Sequence, residues 1–229
     1  MNKINKIYYI NLDTRPDRYE HFLKECYDHH IPYNIISRYT AINGNTYNFS
    51  LDDYEMFKKV DYIGQNYMKK IMGNQLSHYN ILKEMIEKNY NYIIILQDDV
   101  IFRTNFINYL DKLMNNIPDN AEIINIGFHE FASFSVFIPW NFNKENIMIK
   151  EKINDDVCIL NETVNPCSLA YIVTNQGATN LINYFEETGF LRATDMNYNV
   201  YLNNKNIFYG SNTVLCTGNP KLGSDIFTN

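Results

Sequence analysis

The sequence predicts an α/β domain built on a mostly parallel sheet flanked by helices. Three observations carry that expectation. Short apolar runs recur along the chain, at 7–12, 92–96, 122–126 and 168–173, and runs of this length rich in β-branched residues read as strands buried on both faces. Stretches with apolar residues at helical spacing separate them, and strand–helix alternation from one end to the other is the α/β pattern. No internal repeat or low-complexity linker breaks the 229 residues, a length that lets one large domain bury a real core.

Ile7-Tyr8-Tyr9-Ile10-Asn11-Leu12 is the first strand, and Asp13-Thr14-Arg15-Pro16-Asp17-Arg18 follows it. Thr14 with Asp17 three residues on is a capping pair, and proline is tolerated in a first helical turn. Tyr19, Phe22, Leu23 and Cys26 then repeat at helical spacing to about His29. The unit offers a helix N-terminus to an anion. Arg15 and Arg18 sit where the macrodipole disfavours cations. They read either as contacts to a nucleotide base or diphosphate, or as two solvated arginines.

The second strand falls within 33–42 and ends at Asn43-Gly44, a strong turn signal. Residues 50–70 hold one short helix in an irregular excursion. Tyr79, Leu82, Met85 and Ile86 then form a helical stripe, with His78 on the inward face. A lone inward histidine is ordinarily a core residue with one hydrogen-bond partner.

That helix delivers the chain to Tyr92-Ile93-Ile94-Ile95-Leu96-Gln97-Asp98-Asp99-Val100, an apolar run that stops at two adjacent carboxylates. In open α/β sheets the C-terminal ends of the strands face the ligand crevice. Hard cations such as Mn²⁺ and Mg²⁺ prefer carboxylate oxygen and share their shell with substrate phosphates. Paired aspartates at a strand tip therefore point to a metal–nucleotide site, although Asp is also common at solvated strand ends and helix N-caps. Exposure of both carboxylates at that edge, within reach of residues 11–18, is the geometry this reading requires.

Downstream, 105–114 reads as a helix and 122–126 as an inner strand ending at Gly127. The aromatic stretch from Phe128 through Trp140 and Phe142 reads as a hairpin packing one face, with Trp140 the exception suited to stacking on a sugar ring. After the strand at 168–173, Thr174 caps a helix carrying Ala178, Leu181, Ile182 and Phe185, with Gly189 just past its end. A shorter helix starts near Thr194-Asp195, and the tail is a loop carrying Asp225.

Composition narrows the class. A net charge of −6 without any Lys/Arg run gives no support to nucleic-acid binding. The four cysteines lack CxxC spacing, so reduced structural thiols are expected in place of a zinc site or disulfide framework. The segment before the first strand has no long apolar run, so neither a signal peptide nor a transmembrane span is expected, and the location expected is cytoplasmic.

Six short motifs, in order, resemble glycosyltransferase family 25, the group of bacterial lipopolysaccharide-biosynthesis transferases and collagen galactosyltransferases. Tyr9-Ile10-Asn11-Leu12-Asp13 with Arg15 and Arg18 is similar to the family's INLD…R start. Ala41-Ile42-Asn43-Gly44, Gly73 with Leu76-Ser77-His78, and Leu96-Gln97-Asp98-Asp99 resemble its next three motifs. Ala170-Tyr171-Ile172-Val173 with Gly177-Ala178, and Ser224-Asp225-Ile226, resemble its last two. Two departures stand out: Gln97 where the family has Glu, and Asn74 where it usually has Cys.

The resemblance implies a GT-A type, Rossmann-like glycosyltransferase fold in one domain. Residues up to about 127 would form the nucleotide-sugar half, and 128–229 the acceptor and closing half. It implies a UDP-sugar donor (UDP-galactose or UDP-glucose), a glycan or glycoprotein acceptor, Mn²⁺ or Mg²⁺, and inversion at the anomeric carbon. Donor contacts are then expected from Asn11, Asp13, Arg15, Arg18, Asn43, Gly44, Asn74, Ser77, His78, Gln97 and Asp98. Asp98 and Asp99 would hold the metal, and Asp225 would complete its shell or hold the donor. Inversion needs a carboxylate base to take the acceptor proton; Asp195 leads, because it opens a helix after the last strand, with Glu130 second. The competing reading, motivated by Gln97, is an inactive family descendant that binds nucleotide-sugar or glycan as an interaction module. A metal-dependent phosphohydrolase would need a denser cluster than His78, Asp98 and Asp99.

Overall fold

A computed structural model describes residues 1–60, 65–128, 149–162 and 168–226. The first strand, β1 (Lys6–Asn11), is buried from its second residue on, and β3 (Tyr92–Gln97) is buried across its four central apolar residues. Between them lie helix α1 (Pro16–Asp28), a 3-10 turn at Tyr33–Ile35, β2 (Ile36–Thr40), α2 (Leu51–Phe57) and α3 (Gln65–Glu87). After β3 come β4 (Val100–Phe102), α4 (Phe106–Asn115), β5 (Ile123–Asn125) and β6 (Gly127–Phe128). The chain continues as β7 (Ile149–Lys152), β8 (Val157–Leu160), β9 (Ala170–Thr174), α5 (Asn175–Thr188), α6 (Thr194–Asn204), β10 (Tyr209–Ser211) and β11 (Cys216–Gly218).

Eight strands form one sheet in the order β2-β1-β3-β9-β5-β10-β8-β7. The pairings set β1, β2, β3, β5, β7 and β10 in one direction, with β8 and β9 reversed. The sheet is therefore mixed, and parallel runs survive only at β2-β1-β3 and β5-β10. The reversal at β9 has a consequence for organisation. This strand, from the second half of the chain, slots between β3 and β5 of the first, so both halves share one sheet and one core.

Local signals are kept where short-range chemistry decides. Ser50 and Asp53 form a full capping box on α2. Thr174 caps α5 by accepting from the Gly177 amide, and Gly189 ends that helix at φ +70°. At α1 the expected Thr14–Asp17 cap does not form. Arg15 is the N-cap, with no side-chain cap bond, and Pro16 takes the first helical position. One α1 face buries Arg18, Phe22 and Cys26, and Phe22 stacks on Tyr9 of β1 at 4.0 Å between ring centroids.

Beyond the main sheet, β4, β11 and β6 make a second, three-stranded sheet in that order. Asp98 and Asp99 are the two-residue turn by which the chain leaves β3 and enters β4. The aromatic stretch after Phe128, with Trp140, lies outside the described residues. Cys26, Cys158 and Cys216 are free and buried, as structural thiols. Among the described residues, no helix is long and apolar enough to cross a membrane.

Candidate active site

The turn from β3 to β4 gathers the charge. Asp98 and Asp99 are only 4% and 5% exposed, so the expected open carboxylates are instead covered. Arg18, itself 7% exposed, covers them. Its Nη1 donates to Asp98 Oδ1 at 2.7 Å, and its Nη2 lies 3.5 Å from Asp99 Oδ2. The other Asp98 oxygen accepts from Asn11 Nδ2 at 2.7 Å. β1 and β3 run parallel and adjacent, which is why Asn11 and Asp98 meet at the same edge. The physical reason for burial is charge: two carboxylates leave water only with a cation and hydrogen bonds beside them.

The tail closes this corner from above. Asp225 Oδ2 accepts from Arg15 Nη1 at 2.6 Å and lies 3.7 Å from Arg18 Nε. Arg15 Nη2 donates to the Leu222 carbonyl at 2.9 Å, Arg18 Nη2 donates to the Gly223 carbonyl, and the Asn219 amide donates to the Asp99 carbonyl at 2.7 Å. Asp225 thus serves the arginines. Among the described residues no three His, Cys, Asp or Glu side chains gather as a metal cage, so Asp225 does not join the pair to make one. Arg15 also grips Asp17, whose carboxyl the hydrogen bond pulls down to about 2.

Arg38 escaped the sequence reading. It donates from Nε to Asn11 Oδ1 at 2.9 Å and from Nη2 to Asp13 Oδ1 at 2.6 Å, and its guanidinium lies over the Tyr19 ring. Its signal was a lone cation inside the second strand. By this link Asp13 and Asn11 are joined to the corner.

The remaining donor candidates lie along α3. Gly44 and Gly73 let two backbones touch: a Cβ on Gly44 would stand 1.9 Å from the Lys69 carbonyl oxygen, and one on Gly73 would stand 2.3 Å from that of Ile42. Ser77 Oγ clamps this contact, accepting from the Ile42 amide at 2.9 Å and donating to the Gly73 carbonyl at 2.7 Å. Asn43 Oδ1 accepts from the Asn45 amide within its own turn. Asn74 Oδ1 accepts from Thr194 Oγ1 at 2.7 Å. His78, fully buried, has Nδ1 at 2.6 Å from the Tyr171 hydroxyl, which lies 3.2 Å from that of Tyr198. Burial pulls the His78 pKa down to about 3, so its ring is neutral, and pushes Tyr171 well above the ordinary tyrosine value. In this structure Ser77, His78 and Asn74 make their hydrogen bonds inside the protein.

That seam does position one candidate. Gly73 abuts Ile42, just past the end of β2, so Asn74 lies at the same sheet edge as Asn11 and Asp98. Through its bond to Asn74, Thr194 brings the first turn of α6, with half-buried Asp195, to that edge. Gln97, half-buried at the end of β3, reaches Ser168 Oγ at 3.4 Å. Glu130 lies outside the described residues.

The donor chemistry fits a hard divalent cation. Asp98 and Asp99 supply oxygens only, and they already converge on one positive group, the Arg18 guanidinium, which marks where a cation is stabilised.

Comparison with known proteins finds the following similarities. Human procollagen galactosyltransferase 2 is 31% identical over 121 residues, 52% of this chain and 19% of that protein. Zebrafish (Danio rerio) procollagen galactosyltransferase 1 is 30% identical over 131 residues, 54% of this chain and 21% of that protein. Human inactive glycosyltransferase 25 family member 3 is 28% identical over 122 residues, 49% of this chain and 19% of that protein. The matches thus span about a fifth of the length of these relatives. Among solved structures, apo mouse xyloside xylosyltransferase 1 aligns with a TM-score of 0.42 and 14% identity, covering 88% of this chain and 69% of that one. The family profile described as glycosyltransferase family 25 (LPS biosynthesis protein) matches residues 4–198. With most of its length matched by that profile, this chain belongs to glycosyltransferase family 25.

Proposed function

We propose that this chain catalyses metal-dependent, inverting transfer of a hexose, galactose or glucose, from a UDP-sugar to a hydroxyl of a glycan or protein. The observation that carries the reading is the corner itself: two buried carboxylates at the tip of β3, bracketed by Arg18 and Asn11. Membership of family 25 and the likeness to two procollagen galactosyltransferases support it.

In this mechanism Asp98 and Asp99 would hold Mn²⁺ or Mg²⁺, which when bound would supply positive charge beside the leaving diphosphate. Arg15 and Arg18 supply further positive charge for the phosphates. Asn11, with Asp13 and Arg38 behind it, orients the nucleoside. Asp195 accepts the proton of the acceptor hydroxyl as that oxygen bonds to the anomeric carbon, and the bond from that carbon to the diphosphate oxygen breaks with UDP leaving. The seam of α3 and α6 fixes the helix that bears Asp195.

The test is UDP release from a panel of nucleotide sugars with Mn²⁺ present. UDP-hexoses are turned over slowly by water and faster with a glycan acceptor, while GDP- and CMP-sugars are left intact. Equal binding of all three nucleotide classes would overturn the donor assignment. Gln97, in place of the family's Glu, and the likeness to an inactive member favour one second reading, a binder without turnover. UDP-hexose that binds with Mn²⁺ yet yields no UDP over hours would select it.

A further inference from the structure

Arg18 is an unusual residue for the core-facing stripe of a helix. It shares that stripe with Phe22 and Cys26, and it is held there by the carboxylates above it. Asp98 has both oxygens committed, Oδ1 to Arg18 and Oδ2 to Asn11. Asp99 Oδ2 faces the same guanidinium. A dication shared by Asp98 and Asp99 therefore has to contend with a positive group already seated between them. Like charges at such spacing repel strongly where water is scarce.

The guanidinium cannot leave without an anion to receive it, since an unpaired buried charge is costly. Here a further detail matters. Arg18 Nε is buried and makes no hydrogen bond among the described residues. One donor of the fork is thus uncommitted, although Asp225 lies 3.7 Å away.

We propose that Arg18 and a divalent cation are alternative counter-ions of one carboxylate pair, and that the diphosphate is the anion that receives Arg18 when the cation enters. The proposal rests on the reading of Asp98 and Asp99 as a cation site. Its consequence is that the site takes a bare divalent ion poorly and takes the ion together with nucleoside diphosphate well. Arg18 makes the two binding events depend on each other, as linkage requires of any shared intermediate state. The tail is drawn in as well, because the Gly223 carbonyl is tied to the same guanidinium that has to move.

The test is a Mn²⁺ titration read by the electron paramagnetic resonance of the free ion, with the wild-type protein and Arg18→Gln, each with and without saturating UDP. Wild-type protein should bind Mn²⁺ at least tenfold more tightly with UDP than without. Arg18→Gln should bind Mn²⁺ without UDP at least tenfold more tightly than wild type, and should lose at least tenfold in affinity for UDP. Arg18→Lys, which keeps the charge, should fall between the two and guards against a Gln variant that fails to fold. If UDP still binds with Mn²⁺ dependence but neither variant binds bare Mn²⁺ more tightly than wild type, the exchange is overturned and the cation site stands. If no protein binds Mn²⁺ with or without UDP, the cation site itself falls, and the exchange with it.

Discussion

At the β3–β4 corner, Asn11, Arg15, Arg18, Asp98 and Asp225 converge on one another through charge-assisted bonds. Along the seam between α3, β9 and α6, the side chains of Asn74, Ser77, His78, Tyr171 and Tyr198 are neutral, and they bond to each other, to the Thr194 hydroxyl or to nearby backbone. In sequence both regions are short polar motifs beside apolar runs, and the family resemblance implies donor contacts from Asn11, Arg15, Arg18 and Asp98 in the one and from Asn74, Ser77 and His78 in the other. They differ in what the polar atoms are free to do. The corner concentrates charge, with Arg15 and Arg18 facing Asp98, Asp99 and Asp225. The seam's hydrogen bonds join elements, burial holds the His78 imidazole neutral and the Tyr171 and Tyr198 hydroxyls protonated, and the buried His78 Nε2 makes no hydrogen bond among the described residues. Polar motifs at one sheet edge can thus be built from paired charges, as at the corner, or from neutral hydrogen bonds, as along the seam.

The comparison predicts the largest effect at Asp98. Asp98→Ala strips a buried guanidinium of its closest charged partner, so it should cost roughly 3–5 kcal/mol of stability, read by chemical denaturation, besides removing Mn²⁺-dependent UDP binding. Asp99→Ala should remove that binding too, with a smaller loss of stability because its contact to Arg18 is longer, 3.5 Å. A corner variant with unchanged UDP binding would break the comparison on the functional side.

On the seam, His78 sets a pH dependence. Its folded pKa of about 3 lies below the ordinary 6.5, so the unfolded chain takes up the proton first. The stability this contributes is complete above about pH 6.5 and is lost as pH falls toward 3. At pH 4.5 the loss should be about 2–3 kcal/mol. Paired urea melts of wild type and His78→Asn at pH 7 and 4.5 check this: the variant should lack that part of the slope, and its UDP affinity at pH 7 should stay within about twofold of wild type. A His78 variant that folds normally yet loses UDP would move the seam into the ligand site.

Gly73→Ala comes next. The added methyl meets the Ile42 carbonyl oxygen at 2.3 Å, and even after the gain in helix propensity it should cost about 1–3 kcal/mol in a thermal or urea melt. The smallest effect belongs to Gln97, at the margin of the corner. Gln97→Glu should tighten Mn²⁺ binding by about 1–2 kcal/mol, as a charged group replaces a neutral one beside the ion. Calorimetry that finds no change would detach Gln97 from the site.

The sequence alone determined what depends on near neighbours. Apolar runs at 7–12, 92–96 and 168–173 became β1, β3 and β9, because burial on both faces leaves a mark in every residue of a strand. Thr174 and Gly189 bound α5 as read, because caps act over three or four residues. Asp98 and Asp99 stand at the strand tip for the same local reason. Only the tertiary structure decided the rest. Strands β4, β6 and β11, two or three residues each, are too short to show a period. The reversed insertion of β9 between β3 and β5 depends on pairing partners far away in sequence. Arg15 meets Asp225 across 210 residues and Arg18 meets Asp98 across 80. Hydrophobic periodicity records which face a side chain turns, and carries nothing about which distant charge it will meet there. The carboxylate pair was therefore legible, while its burial under Arg18 and the tail was not.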